Sequence, residues 1–111
     1  MTPEIFAQVT KSLLTKCSNI RNMKKVEYAD GTDRLGNFRN AAMLNSTTVP
    51  EAIQGMRVKH TVSIADMVRD EFRLEDKSFS MKQWEEKIVD DINYLVLLYA
   101  GIVESKEDAG E

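Results

Sequence analysis

The sequence predicts an all-α protein, an antiparallel bundle of three long helices and one short helix. Apolar residues recur every three or four positions along three long segments, the spacing that places them on one face of an α-helix. Two of these segments open with a capping box, in which a hydroxyl residue precedes Glu or Gln by three positions. Valine, isoleucine and threonine nowhere alternate with polar residues for long enough to indicate a sheet.

The first long helix begins at Thr2-Pro3-Glu4, where a hydroxyl cap precedes a proline whose missing N–H costs nothing in the first turn. Its apolar residues keep helical spacing, at Ile5, Phe6, Val9, Leu13, Leu14, Cys17, Ile20 and Met23. The periodicity stops at the turn-forming residues 28–33. A short second helix is predicted after this turn, through Leu35, Phe38 and Ala42.

The third helix begins at Thr48-Val49-Pro50-Glu51, a capping box with proline in the first turn. Its apolar stripe comprises Ile53, Met56, His60, Ile64 and Met67 and extends to Glu71. We expect this helix to end near Arg73. Residues 74–79 then form a short polar connection, which suits an antiparallel pair of helices.

The fourth helix begins at a second capping box, Ser80-Met81-Lys82-Gln83, and is predicted to reach about Glu104. Its predicted buried stripe comprises Trp84, Ile88, Ile92, Leu95, Tyr99 and Ile102. The remaining residues, 105–111, are small and charged, so a flexible acidic tail is expected after a single helical domain of residues 1–104.

Composition restricts the location and the partners of the chain. Fifteen basic residues oppose eighteen acidic ones, so the chain lacks the excess positive charge with which proteins bind nucleic-acid phosphates. Cys17 is the only cysteine, which excludes an internal disulfide and favours a reducing compartment. No apolar run approaches the roughly 20 residues of a membrane span, and Pro3 and Glu4 stand where a secretory signal carries basic residues. We expect a soluble, cytoplasmic protein.

Acidic residues interrupt the apolar part of the fourth helix. Asp91 falls on the line of the predicted buried stripe, and Asp90 and Asn93 lie at its edge. An unpaired carboxylate is costly to bury, so Asp91 requires a hydrogen-bonded positive partner or a metal ion.

Two interpretations of these acids are open. In the first, Asp91 forms a buried pair with His60 or Lys59 of the third helix, and Asp90 is hydrated. In the second, Glu86, Asp90 and Asp91 share a hard cation such as Mg²⁺, which takes oxygen ligands and retains waters that can hold a phosphate. The spacing EExxxDD is also common on solvated helix faces, so it does not decide between the two.

The turn EYADGTDRLGNF is the second candidate site. Arg34 supplies a guanidinium that suits a phosphate, Asn37 supplies an amide that suits a base or sugar, and a phenylalanine follows for stacking. The same residues also suit an ordinary turn, a helix cap and a core aromatic residue. Lys59 and His60 are placed to face the same space from the third helix.

Together these segments resemble a known family. The segments that carry the likeness are Lys25, Tyr28, Asp33-Arg34-Leu35-Gly36-Asn37-Phe38, Lys59-His60-x-x-Ser63-Ile64 and Glu86-Lys87-Ile88-x-Asp90-Asp91-Ile92-Asn93-Tyr94. In this order they resemble small phage and prophage proteins of the nucleotide-modification-associated type. Those proteins are in turn similar to the MazG-like all-α nucleoside triphosphate pyrophosphohydrolases. The resemblance covers about residues 20–103.

The resemblance implies a nucleotide-directed protein with a pocket between the third and fourth helices. The Mg²⁺ ligands that it implies are Glu86, Asp90 and Asp91. The catalytic residues that it implies are Glu86, Asp90 and His60. The residues that it implies for binding phosphate, base or sugar are Arg34, Asn37, Lys59 and Asn93.

The sequence also departs from the MazG-like pattern. In that family, a Glu-x-x-Glu pair on one helix and a Glu-x-x-Asp pair on the next hold Mg²⁺ against the triphosphate. Glu86 and Asp90 match the second pair at a spacing of four, and Lys59, His60, Ser63 and Asp66 stand where the first pair is expected. A Mg²⁺-dependent pyrophosphohydrolase acting on an NTP or dNTP and a non-catalytic phage accessory protein that binds a nucleotide or a host protein are therefore both open.

The segment Leu95-Val96-Leu97-Leu98-Tyr99 makes the fourth helix apolar nearly all round. Four helices of this size cannot easily cover such a surface. We therefore predict a homodimer or a higher oligomer whose interface includes this segment, as the MazG-like resemblance also implies.

Overall fold

The computed structural model describes residues 1–24 and 33–110. In these residues the chain forms four α-helices and no strand, which confirms the all-α prediction. The helices are α1 (Pro3–Lys24), α2 (Gly36–Leu44), α3 (Val49–Val68) and α4 (Met81–Asp108), and a π-helical turn, Arg69–Arg73, continues α3. Lys25 and Tyr28, which carry part of the sequence resemblance, and the turn residues up to Thr32 lie outside the described residues.

Both predicted capping boxes are present. The Thr48 hydroxyl accepts a hydrogen bond from the Glu51 N–H, and the Glu51 carboxylate accepts one from the Thr48 N–H. Ser80 and Gln83 form the same reciprocal pair at the start of α4. Each box satisfies N–H groups that have no partner within the helix, and so fixes where the helix begins.

The end of α4 differs from the prediction. The helix continues to Asp108, so residues 105–108 are helical where the sequence predicts a flexible tail after Glu104. No glycine or proline interrupts the helix there, and the chain leaves helical geometry only near Gly110, whose φ is +79°. No helix in the described part of the chain is both long and apolar enough to cross a membrane.

The hydrophobic core lies between α2, α3 and α4. Its centre is Leu35, Phe38 and Ile53, and the partly buried side chains packed against it are Val49, Tyr94, Leu97 and Leu98. Gly101 lets α3 approach α4 closely, because a Cβ at this position would lie 3.0 Å from Ile53 Cδ1. At the other end of α3, Glu71 accepts a hydrogen bond from the Trp84 indole, so α3 and α4 run antiparallel as predicted.

The buried stripe predicted for α4 is wrong in its C-terminal half. Leu95, Tyr99 and Ile102 are exposed, whereas Leu97 and Leu98 pack against the core. At the C-terminal end of α4, the core contacts the side of the helix that faces α2 and α3. This side is rotated about the helix axis from the predicted stripe, which begins at Trp84.

The first helix packs against α4 and against no other helix of the described segments. Lys16 pairs with Glu85, and Arg21 pairs with Asn93 farther along both helices, so α1 and α4 run parallel. This departs from the predicted antiparallel bundle. A short connection imposes an antiparallel arrangement on sequential helices, but α1 and α4 are not sequential.

Candidate functional site

A cleft of about 440 Å³ lies between α1 and α4, a size in the range of small-molecule sites. Its walls are formed by Lys16, Asn19 and Ile20 of α1 and by Glu85, Glu86, Val89 and Asp90 of α4. Three carboxylates and one ammonium make the cleft acidic, and the two aliphatic side chains add an apolar wall.

Helix geometry brings the two predicted acids into this cleft. Glu86 and Asp90 are four residues apart and therefore lie one above the other on α4. The neighbouring Glu85 forms an ion pair with Lys16 across the cleft. Because Lys16 and Glu85 neutralise each other, the two other acids leave the cleft with negative charge.

A buried polar pair lies one turn farther along the same two helices. Arg21 Nη1 donates a hydrogen bond of 2.8 Å to Asn93 Oδ1. Asn93 is 8% exposed, and its Nδ2 is buried without a hydrogen-bond acceptor among the described residues. A buried donor without an acceptor is costly, so Asn93 is held ready to donate a hydrogen bond.

Cys17 lies beside this pair and is a core residue. It is 1% exposed, and burial raises the pKa of its thiol, while Arg21 acts in the opposite direction. A buried thiol with a raised pKa holds little thiolate and is a poor nucleophile.

Asp91 lies on the other side of α4, where it contacts Arg57 of α3. Its Oδ1 is 3.0 Å from Arg57 Nε, and the same oxygen accepts a hydrogen bond of 3.4 Å from the Thr61 hydroxyl. The Arg57 and Asp91 side chains are only 20% and 17% exposed. The predicted pairing of Asp91 with His60 or Lys59 is therefore wrong.

Arg57 was missed because the predicted stripe on α3 passed through Met56. Met56 is 39% exposed, although Ile53 and Met67 of the same stripe are buried as predicted, and Arg57 beside it faces Asp91 of α4. A usable signal was present in the sequence. Arg57 and Thr61 are four residues apart, and a guanidinium beside a hydroxyl suits a carboxylate that must be buried.

His60 packs on the aromatic side chain of Tyr94. Its ring lies on the Tyr94 ring with centroids 4.8 Å apart, and the Tyr94 ring meets Phe38 edge-on. His60 does not line the α1–α4 cleft. The structure therefore separates this predicted catalytic residue from the cleft that Glu86 and Asp90 line.

The remaining predicted ligand-binding residues lie on other surfaces. Lys59 lines a shallow groove on the outer side of α3, together with Ser63 and Asp66. Arg34 is half-buried in the turn before α2, and Asn37 is exposed in the first turn of α2. Of the predicted residues, the cleft thus brings together Glu86 and Asp90, with Asn93 one turn away.

A cluster that the sequence did not reveal holds the start of α2 against α4. Arg39 Nε donates a hydrogen bond of 2.7 Å to Asp33 Oδ2, and Arg39 Nη2 donates one of 2.8 Å to Glu104 Oε2. The hydrogen bonds from Arg39 lower the pKa of both carboxyls. This cluster fixes the turn that carries Arg34.

The acids can be tested for their fit to a metal ion. Across residues 1–24 and 33–110, no group of three or more His, Cys, Asp or Glu side chains is arranged to hold one. Magnesium in nucleotide sites uses one or two carboxylates and takes its other ligands from water and phosphate. Glu86 and Asp90 meet that smaller requirement. Asp91 does not join them, because Arg57 neutralises it.

The chain matches no protein-family model, no curated protein and no solved structure. A functional proposal must therefore rest on the chemistry of the cleft and on the sequence resemblance. The two agree on Glu86 and Asp90, which line the cleft and belong to one of the segments that carry the resemblance.

Proposed function

We propose that this is a nucleotide-directed protein of phage or prophage origin, which binds a nucleoside phosphate as its Mg²⁺ complex in the α1–α4 cleft. One observation carries the proposal: Glu86 and Asp90 line a single cleft of small-molecule size, together with an ion pair and an apolar wall. The sequence resemblance to nucleotide-modification-associated and MazG-like proteins supplies the class of ligand.

The charge of the cleft explains why the phosphate must arrive with a cation. Glu86 and Asp90 repel a free phosphate, and a divalent ion between carboxylates and phosphate reverses that repulsion. Bound Mg²⁺ would also lower the pKa of a water molecule that it holds.

The other cleft residues suit the remaining parts of a nucleotide. Ile20 and Val89 offer an apolar surface for the base, and the Asn19 amide offers both a donor and an acceptor for base or sugar. The Glu85–Lys16 pair links the two walls of the cleft.

A second candidate function is non-catalytic. Asp91 is neutralised by Arg57, and His60 is stacked on Tyr94 outside the cleft. With these two residues committed elsewhere, the cleft retains only its carboxylates and Lys16, which is paired with Glu85, as candidates for moving a proton. These contacts favour a phage accessory protein that holds a nucleotide without cleaving it.

Calorimetric titration with each NTP and dNTP, with and without Mg²⁺, tests binding. We expect binding that requires Mg²⁺ and that weakens by at least about tenfold in Glu86→Gln and in Asp90→Asn. Asp66→Asn is the matched control, because it removes the same charge from an exposed position on α3. Equal binding without Mg²⁺, or unchanged binding by both cleft variants, would contradict the proposal.

Pyrophosphate detection in the same mixtures then separates the two candidate functions. Release of pyrophosphate that stops in Asp90→Asn identifies a pyrophosphohydrolase. Tight binding without any pyrophosphate identifies the non-catalytic protein.

A further inference from the structure

Arg21 differs from the ion-paired arginines of this chain in the kind of group that it binds. Its Nη1 donates a hydrogen bond to Asn93 Oδ1, which is the oxygen of a neutral amide. Among the residues that the structure describes, no carboxylate pairs with Arg21. The arginines that do bind carboxylates are Arg39, Arg57 and Arg69. The half-buried guanidinium of Arg21 is therefore left without an anion that balances its charge.

The Asn93 amide leaves a second donor of the same pair without a partner. Asn93 is 8% exposed, and within residues 1–24 and 33–110 its buried Nδ2 has no hydrogen-bond acceptor. A surface amide donates to water, but a buried donor that binds nothing is costly. The Oδ1 atom is already used by Arg21. What the pair can still bind is therefore a hydrogen-bond acceptor.

The two groups together select an anion with several oxygens. The guanidinium of Arg21 offers positive charge and further N–H donors, and Asn93 offers the N–H donors of Nδ2. A metal ion does not suit this pair, because guanidinium and amide N–H groups are not metal ligands. A phosphate does, because it accepts several hydrogen bonds and binds a guanidinium through two parallel ones.

The pair lies at one end of the α1–α4 cleft. Asn93 follows Asp90 by three residues on the same side of α4, which separates the two by about 4.5 Å along the helix axis. On the other wall, Arg21 directly follows Ile20, which lines the cleft. An extended ligand in the cleft can therefore reach the pair.

Charge changes sign along this cleft. Glu86 and Asp90 give negative charge to one part of it, and Arg21 gives positive charge to the end beyond Asp90. Two linked phosphates match this order, because one can bind through Mg²⁺ at the acids while the next contacts the guanidinium. A single phosphate can make only one of these contacts at full strength.

We propose that Arg21 and Asn93 form a phosphate-binding subsite, which takes the second phosphate of a nucleoside di- or triphosphate held through Mg²⁺ at Glu86 and Asp90. Arg21 binds this phosphate, and Asn93 orients the guanidinium through Oδ1 and donates from Nδ2. The identity of the ligand rests on the proposed function, whereas the anion-binding chemistry of the pair does not. The subsite makes the cleft prefer polyphosphates to monophosphates.

Calorimetric titration with a nucleoside triphosphate and with the matching monophosphate, both with Mg²⁺, tests this preference. We expect the wild-type chain to bind the triphosphate at least about tenfold more tightly. Arg21→Gln should lose the preference and keep its affinity for the monophosphate. Arg73→Gln, which removes the same charge from an exposed position after α3, should keep it. An Arg21→Gln variant with the wild-type preference would overturn the proposal.

Asn93→Asp separates binding from folding. The introduced carboxylate still accepts the hydrogen bond from Arg21, and it neutralises the guanidinium as the phosphate would. We expect the thermal midpoint to stay the same or to rise, and the preference for the triphosphate to disappear. If the pair served only to join α1 to α4, Asn93→Asp would keep the preference, and that result would refute the subsite.

Inorganic pyrophosphate with Mg²⁺ tests the subsite apart from the nucleotide, because it has two linked phosphates and no base. It should raise the thermal midpoint of the wild-type chain more than that of Arg21→Gln. This result without any nucleotide binding would retain the subsite and reject the proposed function. Equal nucleotide affinities in wild type and Arg21→Gln would retain the proposed function and reject the subsite, as would a wild-type midpoint that pyrophosphate leaves unchanged.

Discussion

Asp90 and Asp91 are adjacent in the sequence, but α4 directs them to different helices. Asp91 faces α3, where Arg57 and Thr61 neutralise and bind its carboxylate. Asp90 faces the cleft beside α1, where Glu86 adds to its negative charge. Consecutive residues on an α-helix point about 100° apart, so a run of acids can combine a structural ion pair on one face with a ligand site on the next.

The largest expected effect is on the free energy of unfolding, and it should come from the side of α4 that faces α3. Arg57→Ala leaves Asp91 buried without its cation, and we expect a loss of about 2–3 kcal/mol in the free energy of unfolding. The loss should fall short of that for a fully buried pair because both side chains retain some exposure to water. Urea unfolding measures it.

Arg69→Ala provides the matched control. Arg69 pairs with Asp66 and Asp70 at the surface, with its own side chain 49% exposed, so its loss should cost less than about 1 kcal/mol. Equal losses in Arg57→Ala and Arg69→Ala would show that the α3 side of α4 is no more buried than an ordinary surface.

A second, smaller loss of stability is expected where the C-terminal end of α3 meets the start of α4. Glu71 Oε1 accepts hydrogen bonds from the Phe79 N–H, at 2.6 Å, and from the Trp84 indole, at 3.2 Å. Glu71→Ala removes the acceptor for both donors, and we expect a loss of about 1–2 kcal/mol. Thermal or urea unfolding measures this loss, and Glu107→Ala, in the exposed last turns of α4, serves as the control. No change in Glu71→Ala would mean that water replaces the carboxylate.

The dependence of stability on pH should come from the Arg39 cluster. Arg39 holds the pKa of Asp33 and Glu104 below their ordinary values of 3.8 and 4.5. A carboxyl with a lowered folded-state pKa stabilises the fold above its ordinary pKa, and this stabilisation is lost as the pH falls through the folded value. The difference in urea midpoint between wild type and Arg39→Met should therefore shrink as the pH falls from 6 to 3. Arg73→Met is the control, and a difference that stays constant with pH would contradict the assignment.

The smallest effect on stability is expected on the α1 side. Asp90→Ala removes a carboxylate that has no ion pair among the described contacts, so the free energy of unfolding should change by less than about 0.5 kcal/mol. The same change should abolish Mg²⁺-dependent nucleotide binding. A large loss of stability in Asp90→Ala would give Asp90 a structural role and remove the contrast with Asp91.

Much of the fold follows from local interactions that the sequence shows directly. Thr48 with Glu51 and Ser80 with Gln83 mark helix starts because each box is formed within four residues. The need of Asp91 for a partner also follows from the sequence, because burying a carboxylate is costly in any fold. Its partner does not, since Arg57 lies beside the predicted stripe of α3 and only the packing of α3 on α4 brings it to Asp91.

The sequence alone determined that this chain is helical, where its long helices begin, and which acids need an explanation. These properties depend on hydrogen bonds within a helix and on periodicity along it. The tertiary structure alone decided that α1 runs parallel to α4, that Asp90 and Asp91 face different helices, and that Phe6 and Tyr99 are exposed. These depend on the relative direction, rotation and stagger of helices that are distant in sequence, and no local interaction determines them.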